Sequence, residues 1–423
     1  MKKYHLPLFL VILSFQSFAQ GQLKKYVQES TVPINSIEAD YADDSDLEEI
    51  SKAIGDARVV MLGEQDHGDG ATMQAKTRLI KFLHEKKGFN VLAFEGDFYG
   101  LNEGWKQLPK NQQNIQRFLQ QNLFGVWTAC QQCSDLLYTY IPFTYKSDTP
   151  LEIAGFDNQL IFKHTIDSLT FTIDSYLHRL NIPFVKSSEY VNEFKPALHN
   201  LTQRQLRIKM TADKAALSRF IVMAETVLSQ IDSSELETFD YMLLKNIKEH
   251  AKELLYMDDF HAYAVVRDRQ MADNLRWLAE VEYPNEKIIV WAANVHIMKN
   301  ADSALKYKQY AHDWMGTVFT EDSLRNQQTY VLGFSSKAGS YKRVGQSESK
   351  TVPKPKKNGF ETWIDEKLAY AFIDFKRFRS ENPSFSDYFP MKGFGQQNAI
   401  GVWADMFDGV FFIRYMIPCD EIK

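Results

Sequence analysis

Three short apolar runs break off into polar loops, and this recurrence constrains the fold more than any other feature of the chain. Arg58 to Leu62 ends at Gly63-Glu64-Gln65-Asp66-His67-Gly68, Asn90 to Phe94 ends at Glu95-Gly96-Asp97, and Lys287 to Ala292 ends at Ala293-Asn294-Val295-His296. Runs this short, and apolar at nearly every position, suit strands covered on both faces, as in a parallel sheet between helices. Parallel strands all exit at one edge, and open α/β folds assemble their binding sites there. Glu64, His67, Glu95 and His296 are therefore expected to meet in one cleft.

Four more strands fit Leu151 to Ala154, Tyr330 to Phe334, Ala369 to Ile373 and Gly409 to Ile413. The first crossover helix spans about Ala71 to Glu85, and Lys86-Lys87-Gly88 ends it with cations near the last carbonyls and a permissive glycine. Between Phe162 and Glu280 the pattern changes to long polar-rich helices, Leu206 to Gln230, Ser234 to Met257 and Ala262 to Glu282. A βαβ crossover needs far fewer residues. The expected fold is α/β: a mostly parallel central sheet flanked by helices, with a helical subdomain of about 162–282 inserted over the C-terminal strand edge. Gln346 to Lys357 reads as a polar surface loop, and Glu381 to Gln397 as an irregular stretch with aromatic anchors.

Residues 1–19 have the form of a signal peptide: Lys2 and Lys3, an apolar stretch from Leu6 to Leu13, then Ser17-Phe18-Ala19. The expectation is an exported protein, periplasmic or secreted, whose domain occupies 20–423. No later apolar run approaches the length of a membrane span. The formal charge is −5, and the only basic concentration is the Lys354-Pro355-Lys356-Lys357 loop, which argues against nucleic acid and leaves a small molecule as the expected partner. Cys130 and Cys133 stand as C-x-x-C; in an oxidising compartment they can close a small disulfide, or they are an incidental pair. Cys419 is expected to be free.

Several familiar sites are absent. Gly333-Phe334-Ser335-Ser336-Lys337 lacks the closing glycine of a nucleophile elbow, and neither the H-E-x-x-H helix nor the phosphate-binding glycine loop occurs. What remains is imidazole with carboxylates. A histidine near neutral pKa removes a proton from water, and a neighbouring carboxylate orients the ring and stabilises the imidazolium. His67 is the candidate base. Glu64 and Glu95 are its orienters, or one of them holds a raised pKa and protonates a leaving alcohol. His296 is placed to bind a carbonyl or assist proton transfer. Asp157, beyond the Leu151 strand, lines a fourth exit with Asn158 and Gln159. Arg267 and Asn274, seven residues apart, share a helix face; they point into the cleft, or Arg267 and Asp268 anchor the helix by ion pairs. Two alternatives stay open: Glu64, His67, Glu95 and His296 as ligands of a divalent ion, and an exported binding protein with weakened turnover.

Gly63-Glu64-x-x-His67-Gly68, followed by Lys76, the run Arg78 to Leu83 and Phe94-Glu95, resembles the opening of the erythromycin esterase family. Arg267-Asp268-x-x-Met271-Ala272-x-Asn274 and Trp291-Ala292-Ala293-Asn294-x-His296 are similar to two later segments of that family. The resemblance implies a hydrolase of ester or lactone bonds that needs no metal or other cofactor, with macrolide lactone opening as its best-known activity. It also adds Lys76 and Asn294 to Asp157, Arg267 and Asn274 as substrate-binding candidates. One position departs from the pattern: Ala293 stands where the family carries a histidine, so any role shared between two downstream imidazoles falls to His296.

Overall fold

The computed structural model describes residues 21–422. Residues 1–19, read above as having the form of a signal peptide, lie outside the described residues. Nine strands form the main sheet: β1 (Val32–Ile34), β2 (Val59–Leu62), β3 (Phe89–Asp97), β4 (Glu152–Asp157), β5 (Lys287–Trp291), β6 (Thr329–Tyr341), β7 (Lys350–Thr351), β8 (Tyr370–Asp374) and, near the C-terminus, β11 (Gly409–Met416). β9 (Phe389–Phe394) and β10 (Gln397–Gly401) form a separate antiparallel pair. The order is β1-β8-β11-β6-β2-β5-β3-β4, with β7 beside β6. From β11 to β4 the neighbours are parallel; β8 and β1 make the other edge antiparallel.

The continuous apolar runs have the expected cause. Successive side chains alternate faces, and both faces are covered: Val59, Met61, Ile288 and Val290 enter one core while Val60, Leu62, Ile289 and Trp291 enter the other. α1 (Gly70–Lys87) covers the second face and closes with Gly88 in the left-handed region, φ 69°. A third core, built around Phe194, Phe220 and Leu243, belongs to the helical insertion between β4 and β5.

Where boundaries differ from expectation, local capping explains most of it. Leu206 to Gln230 divides into Arg204–Ala212 and Lys214–Ser229, because Asp213 turns its carboxylate onto the amide of Ala216 at 2.9 Å and starts a new helix. Thr238 caps α2 (Phe239–Leu255), and Asp259 caps α3 (Phe260–Trp277), which continues into a π-helical turn, Leu278–Glu282. The stretch expected to be irregular after Glu381 contains β9, and the Gln346 to Lys357 loop contains β7. Cys130, Cys133 and Cys419 are free and buried, so the C-x-x-C pair is not a disulfide here. Among the described residues no helix is long and apolar enough to cross a membrane.

Candidate active site

β5 lies between β2 and β3. The loop carrying His296 therefore emerges between those carrying Glu64 with His67 and Glu95. Two glycines make this convergence possible. A Cβ on Gly63 would collide with the side chain of Asn294, and one on Gly68 with the backbone of Lys342 and Arg343 after β6. The exits of β2, β5 and β6 are thus held in direct contact.

Two carboxylate–imidazole pairs face one cleft of about 290 Å³, lined by His67, Glu95, Trp127, Arg267, His296 and Arg343 among others. In the first pair, Glu64 Oε1 lies 2.5 Å from His67 Nδ1 and Glu64 Oε2 accepts from Lys76 Nζ at 2.7 Å. Trp127 Nε1 donates to Glu64 Oε1 at 3.2 Å, and its ring meets His67 edge-on at 5.4 Å. Lys76 Nζ lies 3.9 Å from the Trp291 ring centre. Glu64 and Lys76 are sealed from solvent, whereas the His67 side chain is 22% exposed. Nδ1 is committed to Glu64, so Nε2 is the nitrogen available to the cleft. In the second pair, His296 Nδ1 lies 2.6 Å from Asp268 Oδ1 and Nε2 lies 3.3 Å from Glu95 Oε1. Asp268 is fixed in turn by the Met315 amide at 2.9 Å.

Arg267, on α3, joins the insertion to the sheet. It donates to Glu95 Oε1 at 2.8 Å, to Asp157 at 3.1 and 2.7 Å, and stands 3.2 Å from His296 Nε2. One guanidinium between two buried carboxylates leaves them unlike. For Glu95, burial opposes ionisation, but His296 and Arg267 outweigh it and hold the carboxyl well below the usual range. For Asp157, burial outweighs Arg267 and the carboxyl rises. Glu64 is also lowered, since Lys76 and His67 together overcome burial. The expectation that Glu64 or Glu95 carries a raised pKa is therefore corrected: both are held low, and the raised carboxyls nearby are Asp157, buried behind Arg267, and Asp69, raised by its burial. His296 is raised, because Asp268 and Glu95 exceed the opposing effect of burial.

Glu64, His67, Glu95, His296 and Arg267 come together as expected, with Glu64 sealed beneath His67; Lys76, Asp157, Asn274 and Asn294 do not reach the cleft. Lys76 is buried and acts on Glu64. Asp157 is buried and acts on Arg267. Asn274 donates to Phe156 O at 3.0 Å and to Asn246 Oδ1 at 2.6 Å, tying α3 to β4. Asn294 exchanges two hydrogen bonds with the Phe334 backbone, at 2.7 and 3.0 Å, tying β5's exit to β6. As substrate-binding groups these four are corrected to supports. Their amides and charges are consumed internally because a buried polar group must find a partner. Asp268, Trp127 and Arg343 are the additions. Asp268 sits beside Arg267 in a recognised segment; Trp127 comes from a four-residue helix, Gly125–Thr128, and Arg343 from a loop, neither long enough to leave a periodic signal. Arg343 is held by a bidentate pair with Asp66, both contacts 2.9 Å.

The four-ligand metal reading does not fit. Lys76 takes one oxygen of Glu64, Arg267 and the Ala293 amide take Glu95, and among the described residues no group of three or more His, Cys, Asp and Glu side chains is arranged to hold a metal ion. A larger groove, about 720 Å³, includes Lys52, Gln328 and Arg377 at the opposite edge of β2 and β6 and contains none of these groups.

The family model of erythromycin esterase matches residues 84–415. The chain is 26% identical over 451 residues to YbfO of Bacillus subtilis, covering 99% of this chain and 98% of that protein. It is 23% identical over 308 residues to erythromycin esterase type II of Escherichia coli, covering 66% and 69%. The fold is similar to a solved mutant of the erythromycin esterase EreC in its open conformation, with a TM-score of 0.60, 16% identity and coverage of 91% and 97%.

Proposed function

The chain belongs to the erythromycin esterase family, and on that premise we propose that it hydrolyses a carboxylic ester or lactone with water activated by His67. The observation that carries the reading is the Glu64–His67 contact, in which a sealed, ionised carboxylate holds the Nδ1 side of an imidazole whose other edge faces the cleft. Glu64 fixes the tautomer and stabilises the imidazolium. His67 Nε2 takes a proton from water as the oxygen attacks the carbonyl carbon. In this reading Arg267 and His296, which line the same cleft, stabilise the oxyanion of the tetrahedral intermediate. Collapse breaks the bond to the alcohol oxygen, which receives the proton from His67, so one water is consumed and an acid and an alcohol leave.

Macrolide lactones are the finer proposal, supported by the relative named as erythromycin esterase type II; antibiotic resistance would follow from it. Export to the periplasm or medium is proposed from the charged, apolar and small-residue order of residues 1–19. The test is incubation of the purified protein with a panel of simple esters and macrolides in ¹⁸O-water, followed by mass spectrometry. Gain of one labelled water identifies substrates; binding without any such gain would favour the alternative of a binding protein.

A further inference from the structure

Arg343 lines the cleft with His67, Glu95, Arg267 and His296, and it is the most open of these charged groups. Its side chain is 41% exposed, against 11% for Arg267 and 8% for His296. The amide of its neighbour Lys342 donates to Gly68 O at 3.1 Å, so the loop that carries Arg343 is fastened to the residue after His67. The guanidinium is fixed as well. Nε and Nη2 spend one edge on Asp66, and Asp66 Oδ1 also accepts from the Gly68 amide at 2.9 Å. Among the described residues Nη1 has no hydrogen-bond partner, so the outer fork of Nη1 and Nη2 keeps donors to give.

The charges around the cleft are layered. Asp157 and Asp268 are sealed behind Arg267 and His296, and Asp66 is less exposed than the Arg343 it holds. Glu95 is the carboxylate that lines the cleft, and Arg267 and His296 both stand against it. Those two cations are thereby engaged. A cationic group entering the cleft would meet Arg343, Arg267 and His296, whose proton Asp268 and Glu95 hold against burial. An anionic group would meet the open fork of Arg343, whose planar donors match the oxygens of a carboxylate or phosphate.

We infer that Arg343 binds an anionic substituent, a carboxylate or phosphate, on the ester substrate. This rests on the esterase reading of the same cleft. The space of about 290 Å³ makes the substrate compact, with its anion on Arg343 and its carbonyl beside His67 in one small molecule. Because Asp66 already holds the guanidinium, little side-chain freedom is lost when the anion arrives.

The test compares 3-acetoxybenzoate and 3-acetoxyphenyl phosphate with the neutral 3-acetoxybenzamide. Wild type is expected to favour at least one anion over the amide by about tenfold or more in kcat/KM, chiefly through KM, since a charge-assisted hydrogen bond is made to one and not the other. The larger ratio identifies the group. Arg343→Gln, checked by its melting curve, should bring that ratio close to one, and comparison with wild type cancels any difference between the leaving phenols. Raising the salt should raise the wild-type KM of the anion and leave that of the amide, which tests the charge without any variant. A wild-type ratio near one overturns the inference, and so does a high ratio that Arg343→Gln preserves, which would leave Arg343 as an anchor of the His67 loop. If none of the three esters is hydrolysed, the esterase reading has failed, and calorimetry with 3-hydroxybenzoate and 3-hydroxyphenyl phosphate decides the anion site. Binding of either that Arg343→Gln weakens about tenfold or more supports it; no binding, or equal binding, overturns it.

Discussion

Glu64 holds His67 from beneath: its Oε1 is 2.5 Å from His67 Nδ1, and its Oε2 is 2.7 Å from Lys76. The geometry gives Glu64 a role in turnover rather than in substrate contact. Glu64→Gln is expected to lower kcat by about 100-fold or more with little change in KM, because an amide neither fixes the same tautomer nor stabilises the imidazolium. Steady-state kinetics on an activated aryl ester provide the check. A near-normal kcat would reduce Glu64 to scaffolding.

Lys76 supports the same pair at a cost to stability if removed. Lys76→Met leaves a buried carboxylate without its cation and is expected to destabilise the fold by about 3–5 kcal/mol. Adding Glu64→Gln to that variant should restore part of the loss, since the stranded charge is then gone. Urea unfolding of the three proteins measures both effects; no recovery in the double variant would show that packing of Lys76 on Trp291, not charge, is what was lost.

A pH signature attaches to His296. Its pKa is raised in the folded protein by Asp268 and Glu95, against burial. A group that binds its proton more tightly folded than unfolded stabilises fully below the unfolded value, about 6.5 for histidine, and loses that contribution as pH rises through the folded value. His296→Gln should therefore lower Tm more at about pH 6 than at about pH 9. Calorimetry giving equal deficits would contradict the assignment of charge.

Much of this arrangement was legible before any coordinates. The runs at β2, β3 and β5 identified a sheet covered on both faces, and their polar exits identified the edge at which Glu64, His67, Glu95 and His296 meet. β1, three residues with a central proline, is not legible as a strand, and the antiparallel direction of β8 is not distinguished, because strand direction leaves no mark on a five-residue apolar run. Asn274 and Asn294 misled for a different reason. A polar residue in a site segment has the same sequence appearance whether it faces a cleft or a backbone carbonyl, and these two face Phe156 and Phe334. Arg343 reaches the cleft from a distant loop and Trp127 from a four-residue helix, Gly125–Thr128, too short to leave a pattern.

Ala293 stands where the resemblance leads one to expect a histidine. Its amide donates to Glu95 Oε2 at 3.0 Å, and its methyl side chain offers the cleft no polar group. Ala293→His is expected to raise kcat on a macrolide more than it changes KM, the mark of an interaction made chiefly in the transition state. Unchanged or lower kcat in a folded variant, with wild type already efficient, would show that His296 alone suffices.

His67 is proposed as the base of an esterase. Its most direct test is kcat/KM for wild type and His67→Ala on the best ester from the panel, with folding of both confirmed by their melting curves. His67→Ala is expected to retain its fold and to lose activity by about 100-fold or more. Retention of more than about a tenth of wild-type kcat/KM would contradict it, since general base catalysis contributes more than that.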